Sequence, residues 1–290
     1  MEFHSIEQLL ALCASKNLKI SDIMVEHEII NSGLDRKQVY QQMDKQLKVM
    51  EDAVQRGLKE NLKSRSGLAG GDAKLLANYH QKGNHLTGGV VMDALTMALA
   101  TSEVNACMGA IVATPTAGSC GVVPGCIFAV GKHLNSNRDD LIDALFTAGA
   151  IGMVIANNAS ISGAAGGCQA EIGTAAGMAA AAVVQLAGGT PKQSVNAVAI
   201  ALKSMLGLVC DPVAGLVEVP CIKRNATGSA IALTAADMAL AGIESAIPCD
   251  EVIDAMYRVG RSIPVTLRET SMGGLATTDT GRRFEKEILK

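Results

Sequence analysis

Apolar residues recur every three or four positions along most of this chain, the spacing that gathers them on one face of an α-helix. Over 42–62 they fall at Met43, Leu47, Met50, Val54, Leu58 and Leu62, with Lys, Glu, Asp and Arg on the opposite face. The same spacing predicts shorter helices over 5–13 and 20–30. A helix capped by Asp72 should stop near Gly83, and another should run from Gly89 through Ala100 towards Asn105. Further on, helices are expected near 139–156, 169–187, 191–209, 229–242 and 250–260. The one at 191 has the clearest start. Thr190 can cap it, Pro191 suits the first helical position, and Gln193 completes a T-x-x-Q capping box. Its apolar face reads Val195, Val198, Leu202, Met205 and Val209. That pattern puts Cys210 on the last turn, before Asp211-Pro212 ends the helix.

Two stretches interrupt the pattern. KSRSGLAGG (63–71) is short, polar and Gly-rich, the texture of a linker. ATPTAGSCGVVPG (113–125) carries three Gly and two Pro and is not expected to be regular helix. Extended pieces are suggested only by VATP (112–115) and GLVEVP (215–220), and neither βαβ alternation nor an internal repeat is visible. The expected fold class is all-α, a multi-helix bundle with Gly/Pro-rich loops converging at one end.

Composition narrows the function classes. An apolar fraction of 49% against 18% charged excludes disorder, and 290 residues can bury a core without disulfides. Aromatics are 2% with no Trp, so Ala, Gly and Met must fill the interior and let helices approach closely. A mean hydropathy of +0.26 calls for a membrane test. The most apolar stretches, 141–156 and 172–187, contain Asp143 and Gln185, and the second is mostly Ala and Gly. Neither resembles a span of about 20 residues rich in Leu, Ile and Phe, so buried core helices are expected and no membrane association. A net charge of −3, with only short basic groups such as Lys223-Arg224, argues against nucleic-acid binding. The N-terminal MEFHSIEQLL does not read as a signal peptide, which points to a reducing cytoplasm. There, eight cysteines mean metal, catalysis or packing more often than disulfides.

Three of those cysteines lie at expected helix ends or turns: Cys168 in GGCQ, Cys210 in VCDP and Cys221 in PC. A thiolate there can face a cleft, and soft sulfur suits zinc or iron-sulfur sites. The spacing is not C-x2-C, and free Cys commonly packs as a small hydrophobe. On the residues alone, a metal site, core packing and a catalytic thiol all stay open. Cys120 and Cys126 flank GVVPG, in a loop whose N–H groups could cradle a carboxylate or serve only as a tight turn. Cys13 and Cys249 are expected to be packing or surface residues and Cys107 to be core. No H-E-x-x-H pair or G-x-S-x-G elbow occurs, and His80 and His85 are expected to be exposed at a helix end. Lys203 could form a Schiff base, but no phosphate cup accompanies it.

SGAAGGCQAEIGTAAGMAAAA (162–182), LGLVCDPVAGLVEVPCIKRNA (206–226), ATPTAGSCGVVPG (113–125) and LRETSMGGLATTDTGR (267–282) together resemble the α chain of bacterial iron-sulfur-dependent L-serine dehydratases. The resemblance covers the whole chain. It implies a single α-chain domain, 1–290, with a helical N-terminal arm over 1–62 and a cluster-binding core over 72–290. It implies a [4Fe-4S] cluster on Cys168, Cys210 and Cys221, one iron left open for substrate, and no pyridoxal phosphate. The activity implied is deamination of L-serine to pyruvate and ammonia, the open iron acting as Lewis acid on hydroxyl and carboxylate; L-cysteine and L-threonine are alternative small amino-acid substrates. The loop residues Thr114, Thr116, Gly118, Ser119 and Gly121 would help bind the substrate carboxylate, with Asn105, Arg224 and Asn225 as further site residues. The family's Ser-His-Thr motif, which carries its proposed catalytic histidine, has no counterpart here. Nor has the C-terminal cysteine that some single-chain members place on the open iron. A β subunit that supplies the base and docks near the cluster mouth is therefore implied. A non-catalytic iron-sulfur redox or sensing protein is the competing class, and an apolar helical interaction module a third. An electron carrier usually shields its cluster with four protein ligands, which an open iron contradicts.

Overall fold

The computed structural model describes residues 2–289. These fold into thirteen α-helices: α1 (Ile6–Lys16), α2 (Ile20–Ser32), α3 (Arg36–Lys59), α4 (Asp72–Gln81), α5 (Gly89–Ala106), α6 (Val122–Leu134), α7 (Arg138–Asn158), α8 (Gly163–Gly166), α9 (Thr174–Leu186), α10 (Pro191–Lys203), α11 (Cys221–Leu240), α12 (Cys249–Ser262) and α13 (Asp279–Ile288). The all-α expectation holds. VATP and GLVEVP form no strand, and among the described residues the one isolated β-bridge joins Cys210 to Arg268 in parallel. No helix is long and apolar enough to cross a membrane.

The core is built on α9, whose residues from Thr174 to Val184 are all buried. Its Ala-rich surface lets α6, α7, α10 and α11 close around it. α5 forms a second centre, packed on α3, α4, α6 and α11. Small residues set the spacing there. A Cβ on Gly57 of α3 would lie 2.4 Å from the Ala100 carbonyl oxygen, and one on Gly125 of α6 would lie 2.8 Å from that of Ala94. Gly57→Ala should therefore force α3 off α5 and cost about 1–3 kcal/mol, the usual scale of overpacking. Gly149 in α7 has nothing within 4 Å of its would-be Cβ. Gly149→Ala should stabilise by about 0.5–1 kcal/mol, because Gly is the costlier residue inside a helix. Urea midpoints that move in opposite directions for the two variants, at unchanged m, are the expected result.

Several elements depart from the sequence pattern. α3 starts at Arg36, ahead of 42, because Asp35 and Gln38 form a reciprocal capping box. Asp72 is the first residue of α4 and not its cap, since the cap position is Gly71 in the left-handed region. The buried Glu103 of α5 supplies the missing acceptor, its Oε1 taking the Asp72 N–H at 2.6 Å. α6 begins inside the Gly/Pro stretch, with Pro124 in its first turn, where the lost N–H needs no partner. α10 stops at Lys203, so Cys210 leaves the helix. α11 starts at Cys221, well before 229. The segment 60–71 carries no helix but is anchored, since Ser64 and Ser66 donate their hydroxyls to Glu218 at 2.7 and 2.6 Å.

Candidate active site

Three irregular segments meet where α8, α9 and α11 begin. Cys168 stands just ahead of a π-helical turn, Gln169–Gly173, that leads into α9. Cys210 lies on extended backbone: its N–H donates to Leu267 O at 2.9 Å, and the Glu269 N–H donates to Cys210 O at 2.7 Å. Cys221 is the first residue of α11, directly after the cis Val219–Pro220 bond. All three cysteines are buried.

Three side chains tie these segments together. Gln169 donates its backbone N–H to Leu208 O at 2.9 Å, and its side-chain oxygen accepts the Gly207 N–H at 2.9 Å. That fixes the Cys168 turn against the approach to Cys210. Arg224 donates to Val209 O at 2.8 Å and to Asp211 Oδ1 at 3.0 Å, and its positive charge draws the Cys168 thiol towards its ionised form. Asn225, fully buried, donates to Cys221 O at 2.9 Å and to Gly118 O at 2.7 Å, while its Oδ1 accepts the Gly121 N–H at 2.9 Å.

The thiols share one electrostatic neighbourhood. Burial pushes Cys168 up to about 11, against the pull of Arg224. Cys221 is pushed up to about 12 by burial, then by Cys168 and Glu171. Cys210 is raised furthest, by burial and then by Cys168, Glu171, Cys221 and Glu269. Among the described residues no three His, Cys, Asp or Glu side chains are placed to hold a single metal ion. A polynuclear cluster makes a different demand, because each thiolate binds a different metal atom and the sulfurs stand farther apart. Three soft donors that repel one another as thiolates, with one guanidinium as countercharge, fit a positively charged iron-sulfur core.

The Gly-rich loop borders this site. Thr116 donates its hydroxyl to Glu171 Oε1 at 2.7 Å. Ser119 donates to Thr114 O at 3.1 Å, and Thr114 to Cys120 O at 3.5 Å. Asn105 donates to Ala117 O at 3.1 Å and so holds the 3-10 turn Ala117–Ser119. Hydrogen bonds within the loop engage the N–H groups of Thr116, Ser119 and Cys120, and Asn225 of α11 takes that of Gly121, but none of these bonds uses the N–H groups of Ala117 and Gly118. Thr114, Thr116, Gly118, Ser119, Gly121, Asn105 and Asn225 thus belong to one framework, and Arg224 belongs to the cysteine side of it.

The other candidates lie elsewhere. Cys120 and Cys126 are completely buried and packed in the core. Cys13 and Cys249 are buried as well, whereas Cys107, expected in the core, is only half-buried. His80 and His85 are half-buried rather than exposed: His80 sits 3.5 Å from Asp93, and its ring meets that of His85 at a tilt of 59°. Lys203 donates to the Ser245 hydroxyl at 2.8 Å. Sequence reasoning missed Glu171 and Gln169. The available signal was a lone carboxylate in AEIGTAAGMAAAA, three residues after Cys168 on an otherwise apolar helix.

A family model described as serine dehydratase alpha chain matches residues 15–276. The chain is 60% identical to a probable L-serine dehydratase alpha chain of Bacillus subtilis (strain 168), over 99% of this chain and 95% of that one. It is 41% identical to an L-serine dehydratase alpha chain of Peptoniphilus asaccharolyticus, over 99% and 98%. An L-serine dehydratase of Escherichia coli (strain K12) is 38% identical over 95% of this chain, a match that spans 62% of that longer protein. A family match that takes in all three site cysteines and the whole of the Gly-rich loop leaves one assignment: the chain belongs to the serine dehydratase alpha chain family.

Proposed function

We propose that this chain is the α subunit of an L-serine dehydratase that carries a [4Fe-4S] cluster on Cys168, Cys210 and Cys221. The observation that supports it best is the meeting of three buried thiols from three separate segments in one electrostatic site, in a chain of this family. Bound there, the cluster would supply a Lewis-acidic iron, free of a fourth protein ligand, for the carboxylate and β-hydroxyl of serine.

The chain's own residues prepare that site. Gln169, Arg224 and Asn225 fix the cysteine-bearing segments relative to one another. Arg224 and Asn225 are thereby engaged, so substrate recognition falls to the Thr116–Ser119 turn, whose Ala117 and Gly118 N–H groups suit a carboxylate. Elimination removes the Cα proton and the β-hydroxyl as water. The aminoacrylate left behind tautomerises and hydrolyses to pyruvate and ammonia. L-Threonine would enter by the same loss of water, and L-cysteine by loss of hydrogen sulfide in its place.

The base is assigned to a β subunit. Related chains such as the one from Escherichia coli extend well beyond the matched part, while the alpha chains named above do not. Met108, Val265 and Met272 are exposed on segments that border the site and offer an apolar rim for that partner. The test is anaerobic purification of the chain with and without its candidate β chain. The expected product is a brown complex of about four irons per α chain that releases pyruvate from serine only with the partner present. A colourless anaerobic preparation, or serine turnover without iron, would remove the reading.

A further inference from the structure

Glu171 has an environment that the cysteines do not explain. Its side chain is half-buried on the π-helical turn, between two glycines. A Cβ on Gly118 would lie 3.1 Å from its Oε1, and one on Gly163 would lie 2.6 Å from its Oε2 and 2.9 Å from Cys210 Sγ. Thr116 donates its hydroxyl to Oε1 at 2.7 Å, and the Cys210 thiol donates to Oε2 at 3.9 Å. Its remaining charged neighbour is another carboxylate, Glu269, and none of the ion pairs among the described residues includes it. The one guanidinium acting on the site thiols, Arg224, is bound to Asp211 and Val209 O. A carboxylate partly withdrawn from water without a cation is costly, and structures keep such groups for pairing.

We propose that Glu171 is the receptor for the α-ammonium group of the amino-acid substrate and sets the preference for an amino acid over a 2-hydroxy acid. The inference rests on the dehydratase reading above and adds a specificity determinant to it. An ammonium placed against Oε2 would stand beside Cys210, and the Ala117–Gly118 turn packs against the same carboxylate on its Oε1 side. The substrate's two charges would then be met by neighbouring groups, the ammonium by Glu171 and the carboxylate by the N–H groups of the turn. Glu269 is a poorer receptor, because it is exposed and water already solvates it. Thr116 is the positioning residue: its hydroxyl fixes Oε1, and Oε2 passes to the ligand once Cys210 is a thiolate with no proton to donate.

The test compares L-serine with L-glycerate, which replaces the ammonium by a hydroxyl, on the iron-loaded complex of both chains. Glu171→Gln keeps the shape and removes the charge. The KM for serine should rise about 10–100-fold, the range of one charge-assisted hydrogen bond, with kcat little changed. The Ki of glycerate should stay within about threefold, since a neutral hydroxyl loses little. Iron content and the cluster's visible absorption should match wild type. A collapse of kcat at unchanged KM would assign Glu171 to proton transfer and overturn the proposal. Loss of iron, or equal weakening of serine and glycerate, would make the residue structural and overturn it too. If Glu171→Gln fails to fold, Thr116→Val gives the second reading: a rise in the serine KM of about 3–10-fold with glycerate unaffected, or no change, which refutes it. A wild-type complex that ignores serine removes the dehydratase reading as well, whereas an active wild type beside an unaltered variant removes this inference alone.

Discussion

Cys210→Ser is expected to remove the iron and to cut serine turnover by far more than the ~10–100-fold typical of residues that merely support a metal ligand. Serine's hydroxyl is a harder donor that ionises far less readily than a thiol, so it is a much weaker ligand than a thiolate for an iron-sulfur core. The position is also the most coupled of the three, since both other site thiols and two carboxylates raise it. Cys13→Ser is the matched control. Cys13 is equally buried, at 4% exposure, but lies on α1 among apolar neighbours. Burying its hydroxyl should cost stability, about 1–3 kcal/mol, and leave the iron in place. The measurement is the iron-to-protein ratio and visible absorption of both variants after anaerobic purification. Equal iron in the two would withdraw the ligand assignment.

Local contacts explain what could be read from the sequence. The start of α10 was legible because Thr190, Pro191 and Gln193 complete it within four residues. Its end was not, because the apolar face continues to Val209 while the backbone departs at Lys203. The cause is remote: Gln169 takes the Gly207 N–H and donates to Leu208 O, and that holds the chain in a turn. α6 was hidden for a different reason. Gly and Pro argue against a helix interior, but Pro124 falls in the first turn, and Gly125 is needed for close approach to Ala94.

The same division runs through the site. Cys168 and Cys221 could be placed at the edge of a helix from their neighbours alone, whereas Cys210, expected on the last turn of α10, lies beyond it in a bridge to Arg268. The convergence of the three could not be read that way, because Arg224 and Asn225 reach partners in other segments that no periodicity encodes. The resemblance of the motifs supplied that link at the sequence level. Glu171 needed the fold: on a helical wheel it is one polar residue in an Ala-rich run, and only the π-helical turn brings it to Thr116 and Cys210.

Asp211→Ala should be the most destabilising change near the site, costing about 3–5 kcal/mol, the scale of breaking a buried ion pair from one side. Asp211 is 4% exposed and accepts from Arg224 Nη2 at 3.0 Å and from the Leu275 N–H at 2.8 Å. A Cβ on Gly274 would lie 2.5 Å from its Oδ2, so the 273–275 segment packs directly on the carboxylate. Truncation strands a largely buried guanidinium and an amide N–H together. The Arg224 side chain keeps 17% exposure, so water relieves part of the loss and the lower end of the range is expected. Replacing both partners tests the electrostatic origin. Asp211→Leu combined with Arg224→Met should be less destabilised than Asp211→Ala alone, because no charge is left unpaired. The double variant should lose its iron, since Arg224 also holds the Val209 carbonyl beside Cys210 and is the countercharge to the Cys168 thiol. Urea unfolding of the three apo proteins gives the order directly. If Asp211→Ala falls within about 1 kcal/mol of wild type, the cost expected of a surface pair, the pair does not hold the segment and packing around Gly274 does.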